Sequence, residues 1–152
     1  IGNHSAVSTI KAAKAAFDTS GYQYIIYDSP PGTSCPFMQT VQYSDYVILV
    51  TEPTPFGLSD LKQTVETLKL MDKPFGIIVN RSGLGDNGVY EYIKSNKYRL
   101  LAEIPYDQKI AKLYSKGELI VDHLPEINSL FERLVNVMYN LIFSHFNGDS
   151  CN

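Results

Sequence analysis

The sequence predicts an α/β protein with a mainly parallel sheet and flanking helices, and three observations carry that prediction. Short apolar runs recur at residues 24–27, 46–50, 75–79 and 100–104. Each is near-continuously apolar, as strands covered on both faces of a parallel sheet are. Segments with helical spacing separate the runs, which implies right-handed βαβ crossovers.

Each element has its own justification. Residues 5–19 are rich in alanine, with Ile10 and Phe17, and Gly21 closes them as a helix stop. Tyr24, Ile25, Ile26 and Tyr27 are β-branched or aromatic and suit a buried strand, which Pro30, Pro31 and Gly32 cannot continue. Cys35 falls at the first turn of a following helix. After the second run, Leu58, Leu61, Val65 and Leu68 recur at steps of three and four, one apolar stripe of a helix whose start is marked by Gly57 and Ser59. Gly83, Gly85 and Gly88 loosen the loop after the third run, so residues 81–88 are expected to be mobile. Val89, Tyr92 and Ile93 then predict a helix over 87–96. The last helix opens with Pro125 in its first turn and carries Ile127, Leu130, Phe131, Leu134, Met138, Leu141 and Ile142 along one side. The expected organisation is one α/β domain over 1–147 and a flexible tail over 148–152.

A chain of 152 residues is large enough for one self-supporting core. Its net charge of −3, with 13 scattered Lys and Arg, argues against a nucleic-acid surface but permits a single anionic ligand. Cys35 and Cys151 are too far apart for a disulfide framework or a CxxC metal signature, which suggests a reducing cytoplasm. No apolar stretch approaches the roughly 20 residues of a membrane span. Ile1 stands where an initiator methionine would, so a cut N-terminus or a longer parent chain is expected.

Polar residues gather after the apolar runs: Asp28, then Thr51 and Glu52, then Asn80 and Arg81, then Pro105, Tyr106 and Asp107. Open parallel sheets bind ligands at the carboxyl ends of their strands, so the four tips are expected to line one crevice. Taken singly, each group could equally be a turn or cap. Asp28 has three fates open to it, namely exposure, capping by backbone N–H groups, or a cation.

The stretches Asp28-Ser-Pro-Pro-Gly-Thr-Ser-Cys-Pro36, Val50-Thr-Glu-Pro-Thr-Pro-Phe-Gly-Leu58, Ile78-Val-Asn-Arg81 and Glu103-Ile-Pro-Tyr-Asp107 resemble the second half of the MinD/ParA/Mrp group of deviant P-loop ATPases. They look most like the members with an inserted ferredoxin domain. The resemblance covers about residues 2–121. It implies a P-loop NTPase-like fold, carboxyl-terminal portion, with ATP and Mg²⁺ as cofactors of the intact protein. It implies that Asp28 lies near the magnesium-bound water, that Gly32 and Thr33 sense the terminal phosphate, and that Asn80, beside Arg81, reads the adenine edge. Pro105, Tyr106 and Asp107 match the segment around the base. An amide offers the donor and the acceptor that adenine requires, and a glycine lets backbone N–H groups approach phosphate. The same resemblance implies a homodimer, an iron–sulfur or electron-transfer partner, and an iron–sulfur cluster in a ferredoxin insert.

Nothing in residues 1–152 approximates the G-x-x-x-x-G-K-[ST] loop on which phosphoryl transfer depends. The chain is therefore expected to be the carboxyl-terminal part of such an ATPase, with weak or absent nucleotide binding and no hydrolysis alone. Two other readings stay open, a free-standing binding module of the same fold and a thiol-dependent enzyme using Cys35.

Overall fold

A computed structural model describes residues 20–29 and 32–148. The predicted helix over 5–19 lies outside them, as do Pro30, Pro31 and residues 149–152. The chain divides into two compact units: the first takes residues up to Val47 together with Lys62–Pro74, the second Ile48–Leu61 and everything from Phe75 on.

The second unit holds a three-stranded sheet in the order β1 (Val47–Thr51), β2 (Phe75–Ser82), β3 (Leu100–Pro105), with Val47 itself at the unit boundary. Strand β2 is central and runs parallel to β3. Its Ile77, Ile78 and Val79 are buried, the near-continuous burial that a strand covered on both faces requires. The same expectation fails for the outer strands. In β1 Leu49 and Thr51 are buried, but Ile48 and Val50, on the opposite face, are exposed, Val50 at 62%. Side chains alternate between the two faces of a strand, and the described residues cover only one face of β1.

Helix α3 (Gly88–Ser95) follows β2, within the 87–96 span its spacing predicts, and buries Val89 and Ile93. Tyr98 meets Phe75 at 5.4 Å and Tyr92 at 5.5 Å, both rings inclined to it, tying α3 to the start of β2. After β3 come α4 (Gln108–Ser115), the one-turn α5 (Ile120–His123) and α6 (Pro125–Gly148). Helix α6 packs on β3 and α5, and Ile127 and Leu134 of the predicted stripe are its buried members. Neither α4 nor α5 is predicted by apolar period. Helix α4 buries no residue, and its N-terminus is set by Asp107, whose carboxylate accepts the Lys109 N–H at 2.8 Å.

Helix α2 (Pro55–Leu70) crosses the unit boundary in sequence and buries Leu61, Val65 and Leu68 of the predicted stripe. It starts before Gly57, because Thr54 is its cap: the Thr54 hydroxyl accepts the Gly57 N–H at 3.0 Å, with Pro55 in the first helical position.

In the first unit, α1 (Cys35–Gln42) buries Phe37, Thr40 and Val41. Lys73 donates to the carbonyls of Gln42 at 2.8 Å and Ser44 at 3.0 Å, placing a cation at the negative end of that helix. The predicted strand over residues 24–27 is not there. The segment has no regular structure, Tyr24, Ile25 and Tyr27 are exposed, and Ile26 is 92% exposed. Four apolar residues become a strand only where a neighbour supplies the other half of the ladder and cover for both faces, and the three-stranded sheet does not include them.

Candidate functional site

The carboxyl ends of β1, β2 and β3 are cross-linked into one rigid edge of the second unit. After β1 the chain turns sharply. Thr51 Oγ1 donates to the Gly57 carbonyl at 3.0 Å, and Thr54 N–H donates to the Glu52 carbonyl at 2.8 Å. A Cβ on Gly57 would lie 2.3 Å from the Glu52 carbonyl oxygen, so this turn closes only on glycine. Pro53 is fully buried within it.

The tip of β2 meets that turn. In the register with β3, Asn80 opposes Ile104 and Ser82 opposes Pro105, which leaves Arg81 as an extra residue, a β-bulge. Arg81 has φ +53°, the left-handed region, at a cost of about 1–2 kcal/mol for a residue with a Cβ. Its backbone N–H donates to Asn80 Oδ1 at 3.0 Å. Its guanidinium faces Glu52, with Nε to Oε1 at 3.4 Å and NH1 to Oε2 at 3.4 Å. Both side chains are well exposed, 58% and 40%, and an ion pair so placed contributes at most about 1 kcal/mol. The pair offsets part of the backbone strain, and strain kept in this way concentrates at working sites.

The loop after β2 is braced too, by contacts its glycines do not suggest. Leu84 N–H closes a turn onto the Arg81 carbonyl at 3.2 Å, and Asp86 N–H donates to the Pro53 carbonyl at 3.0 Å. Gly85, at φ +77°, passes so close to Pro53 that a Cβ there would sit 1.7 Å from its carbonyl oxygen. On the other side, Tyr106 N–H donates to the Ser82 carbonyl at 3.0 Å, which joins the β3 tip to the β2 tip.

Of the residues singled out in the sequence, Asn80, Arg81, Pro105 and Tyr106 are therefore brought together on adjacent strand ends. Asp107 follows them, with one carboxylate oxygen engaged in capping α4. Glu52, which the family resemblance does not assign, joins the group through Arg81. The sequence signal for it was the Thr-Glu-Pro-Thr-Pro-Phe-Gly segment. Asp28, Gly32 and Thr33 belong to the first unit and are exposed, and Gly32 has φ +85° with open space where a Cβ would be. Asp28 follows an irregular segment, not a strand.

Away from the tips, a groove of about 400 Å³ between β3 and α6 is lined by Leu101, Ala102, Leu130, Leu134 and Val137, with Glu103 and Arg133. Tyr90 is hydrogen-bonded to Glu103; burial, then that bond, then the carboxylate's charge hold the phenol above its ordinary pKa.

Among the described residues no three His, Cys, Asp or Glu side chains converge on a metal position. Magnesium would fit only in the mode in which phosphates and water supply most ligands and a single carboxylate assists. An iron–sulfur cluster does not fit these residues, because it needs several thiolates and Cys35, exposed at the start of α1, is the only cysteine among them. A purine base fits better, since Asn80 is half-buried and its amide is ordered by a backbone donor.

No family model matches the chain. Among solved structures, the MinD cell division protein of Aquifex aeolicus superposes with a TM-score of 0.68 at 24% identity, over 91% of this chain and 61% of that one. The fold is that of MinD. The Pyrococcus furiosus cell division ATPase MinD agrees, with a TM-score of 0.67 at 24% identity over 90% of this chain and 57% of that one. Sequence relatives carry the MinD-like resemblance toward iron–sulfur proteins. An iron-sulfur cluster carrier protein of Methanocaldococcus jannaschii is 30% identical over 110 residues, 62% of this chain and 38% of that protein. An uncharacterized protein of the same organism is 31% identical over 132 residues, 83% of this chain and 45% of that protein. An uncharacterized ATP-binding protein is 25% identical over 105 residues, 67% of this chain and 40% of it. The chain thus spans less than half the length of these sequence relatives. Among the described residues no helix is long and apolar enough to cross a membrane.

Proposed function

We propose that this chain supplies the base-reading and phosphate-sensing portion of a MinD-type ATP site. The observation that carries the reading is the bulged tip of β2, where Asn80 is held by the Arg81 backbone and flanked by the β3 tip through the Tyr106 to Ser82 hydrogen bond. Asn80 reads the adenine edge, one amide hydrogen donated and one lone pair accepting, while Pro105 and Tyr106 flank the base. Asp28, Gly32 and Thr33 serve the magnesium and phosphate end, Asp28 through water.

ATP, with the magnesium it brings, supplies the bond whose hydrolysis drives the intact machine. This chain's residues bind and orient it. The sequence holds no glycine-rich lysine loop, so binding here is weak, in the millimolar range, and turnover is absent. Likeness to an iron-sulfur cluster carrier protein supports an iron–sulfur partner for the intact ATPase; an electron-transfer partner and a homodimer as its working form rest on the sequence resemblance alone.

Titration of the chain with Mg-ATP, paired with a phosphate-release assay, tests this. Millimolar binding that Asn80→Ala weakens, with no phosphate released, is the expected result. Catalytic phosphate release, or binding indifferent to Asn80→Ala, would overturn it.

A further inference from the structure

We infer that the Glu52–Arg81 pair is a specificity device: it holds Arg81 in its left-handed bulge and thereby fixes which way round the Asn80 amide faces a purine. The inference rests on the base-reading role of Asn80 proposed above.

The argument begins with the amide. An asparagine side chain presents an oxygen that accepts and a nitrogen that donates, and turning it over exchanges the two. Adenine offers a donor, its amino group, beside an acceptor, its ring nitrogen. Guanine offers on the comparable edge an acceptor, its carbonyl oxygen, beside a ring N–H donor. One amide in one place therefore reads adenine in one orientation and guanine in the other.

Here the Arg81 N–H, 3.0 Å from Asn80 Oδ1, decides the orientation. Turned over, the amide would set its own N–H₂ against that N–H, two donors face to face. The oxygen keeps its second lone pair and the nitrogen both hydrogens, which are the partners adenine needs. That N–H is where it is because Arg81 sits at φ +53° in the bulge between Asn80 and Ser82. An arginine left to itself relaxes out of that region. Two contacts of 3.4 Å to Glu52 add to the Leu84 N–H on the Arg81 carbonyl in opposing the relaxation, and Glu52 is anchored in turn, its carbonyl accepting the Thr54 N–H inside the turn that buries Pro53. Arg81 is thus a positioning residue and Glu52 its anchor.

The test compares Mg-ATP with Mg-GTP on the ¹⁵N-labelled chain, following the Asn80 side-chain signals, in wild type, Glu52→Gln and the double variant Glu52→Gln with Arg81→Gly. Glycine occupies positive φ without strain, so it keeps the bulge and its N–H without an anchor. Wild type is expected to favour ATP about tenfold, the scale of one well-oriented two-point contact to a base. Glu52→Gln is expected to bring the two nucleotides within about twofold of each other, and the double variant to restore the preference. A merely structural pair would lower both affinities together and leave the ratio alone. An unchanged ratio in a folded Glu52→Gln chain would overturn the inference, as would a lost preference that glycine fails to restore. If neither nucleotide moves the Asn80 signals in wild type, the base-reading role itself falls and takes this inference with it.

Discussion

Two stretches of this chain look alike in sequence and come out differently. Residues 24–33 and residues 76–85 each run from apolar, β-branched residues into a polar residue and then a turn with glycine. The second becomes a buried central strand whose tip is braced by Glu52, Pro53 and Tyr106. In the first, residues 24–29 are irregular and residues 24–28 exposed. The contrast teaches that an apolar run specifies burial only when something is there to bury it, and that a site is rigid through its long-range partners, not through its motif.

The sharpest way to break the comparison is to cut equal apolar side chains from each stretch. Ile77→Ala, at a position with no exposure, is expected to cost about 2–5 kcal/mol in a denaturant titration, while Ile26→Ala, at 92% exposure, stays within about 0.5 kcal/mol. Comparable losses would mean that the 24–27 segment is covered in solution.

The two glycines make the next contrast. Gly85 and Gly32 both have positive φ, but only Gly85 faces a carbonyl where its Cβ would go. Gly85→Ala should cost at least about 2 kcal/mol, and Gly32→Ala about 1 kcal/mol from backbone strain alone. Thermal melts of the two variants should separate in that order, and the reverse order would contradict the bracing of the 82–88 loop. Glu52→Gln is a smaller perturbation of stability, at most about 1 kcal/mol for a pair so exposed, so its effect on nucleotide choice is not a by-product of unfolding.

The smallest effect concerns Tyr90. Its phenol pKa is raised above 10.0, chiefly by burial and then by Glu103. A raised pKa means the neutral form is favoured by folding, so this contribution is complete below about pH 10 and fades as the pH climbs through the folded value. Tyr90→Phe should flatten the alkaline decline in stability. An identical decline in the variant would assign it to other groups.

Much of this was legible beforehand. The α2 stripe, the α3 spacing and the three paired strands follow from periods that packing respects, because Leu61, Val65, Leu68 and Ile77 have nowhere else to go. Caps are legible by another signal: Thr54 before Pro55, and Asp107 before Gln108, are start signals that do not depend on apolar period. The expected strand over 24–27 does not form, because pairing is a long-range event that four residues cannot announce. In the site, Asn80 and Tyr106 fall at the ends of adjacent strands. The Glu52 to Arg81 link spans 29 residues of sequence and depends on a bulge and a positive φ, neither of which any local pattern encodes.

The central claim, that the β2 tip reads an adenine base, is tested most directly by mapping amide shifts of the labelled chain as Mg-ATP is added. The account predicts shifts that cluster on Asn80, Arg81, Tyr106 and Asp107 and saturate in the millimolar range. Saturating shifts elsewhere that leave those four residues unmoved would contradict it.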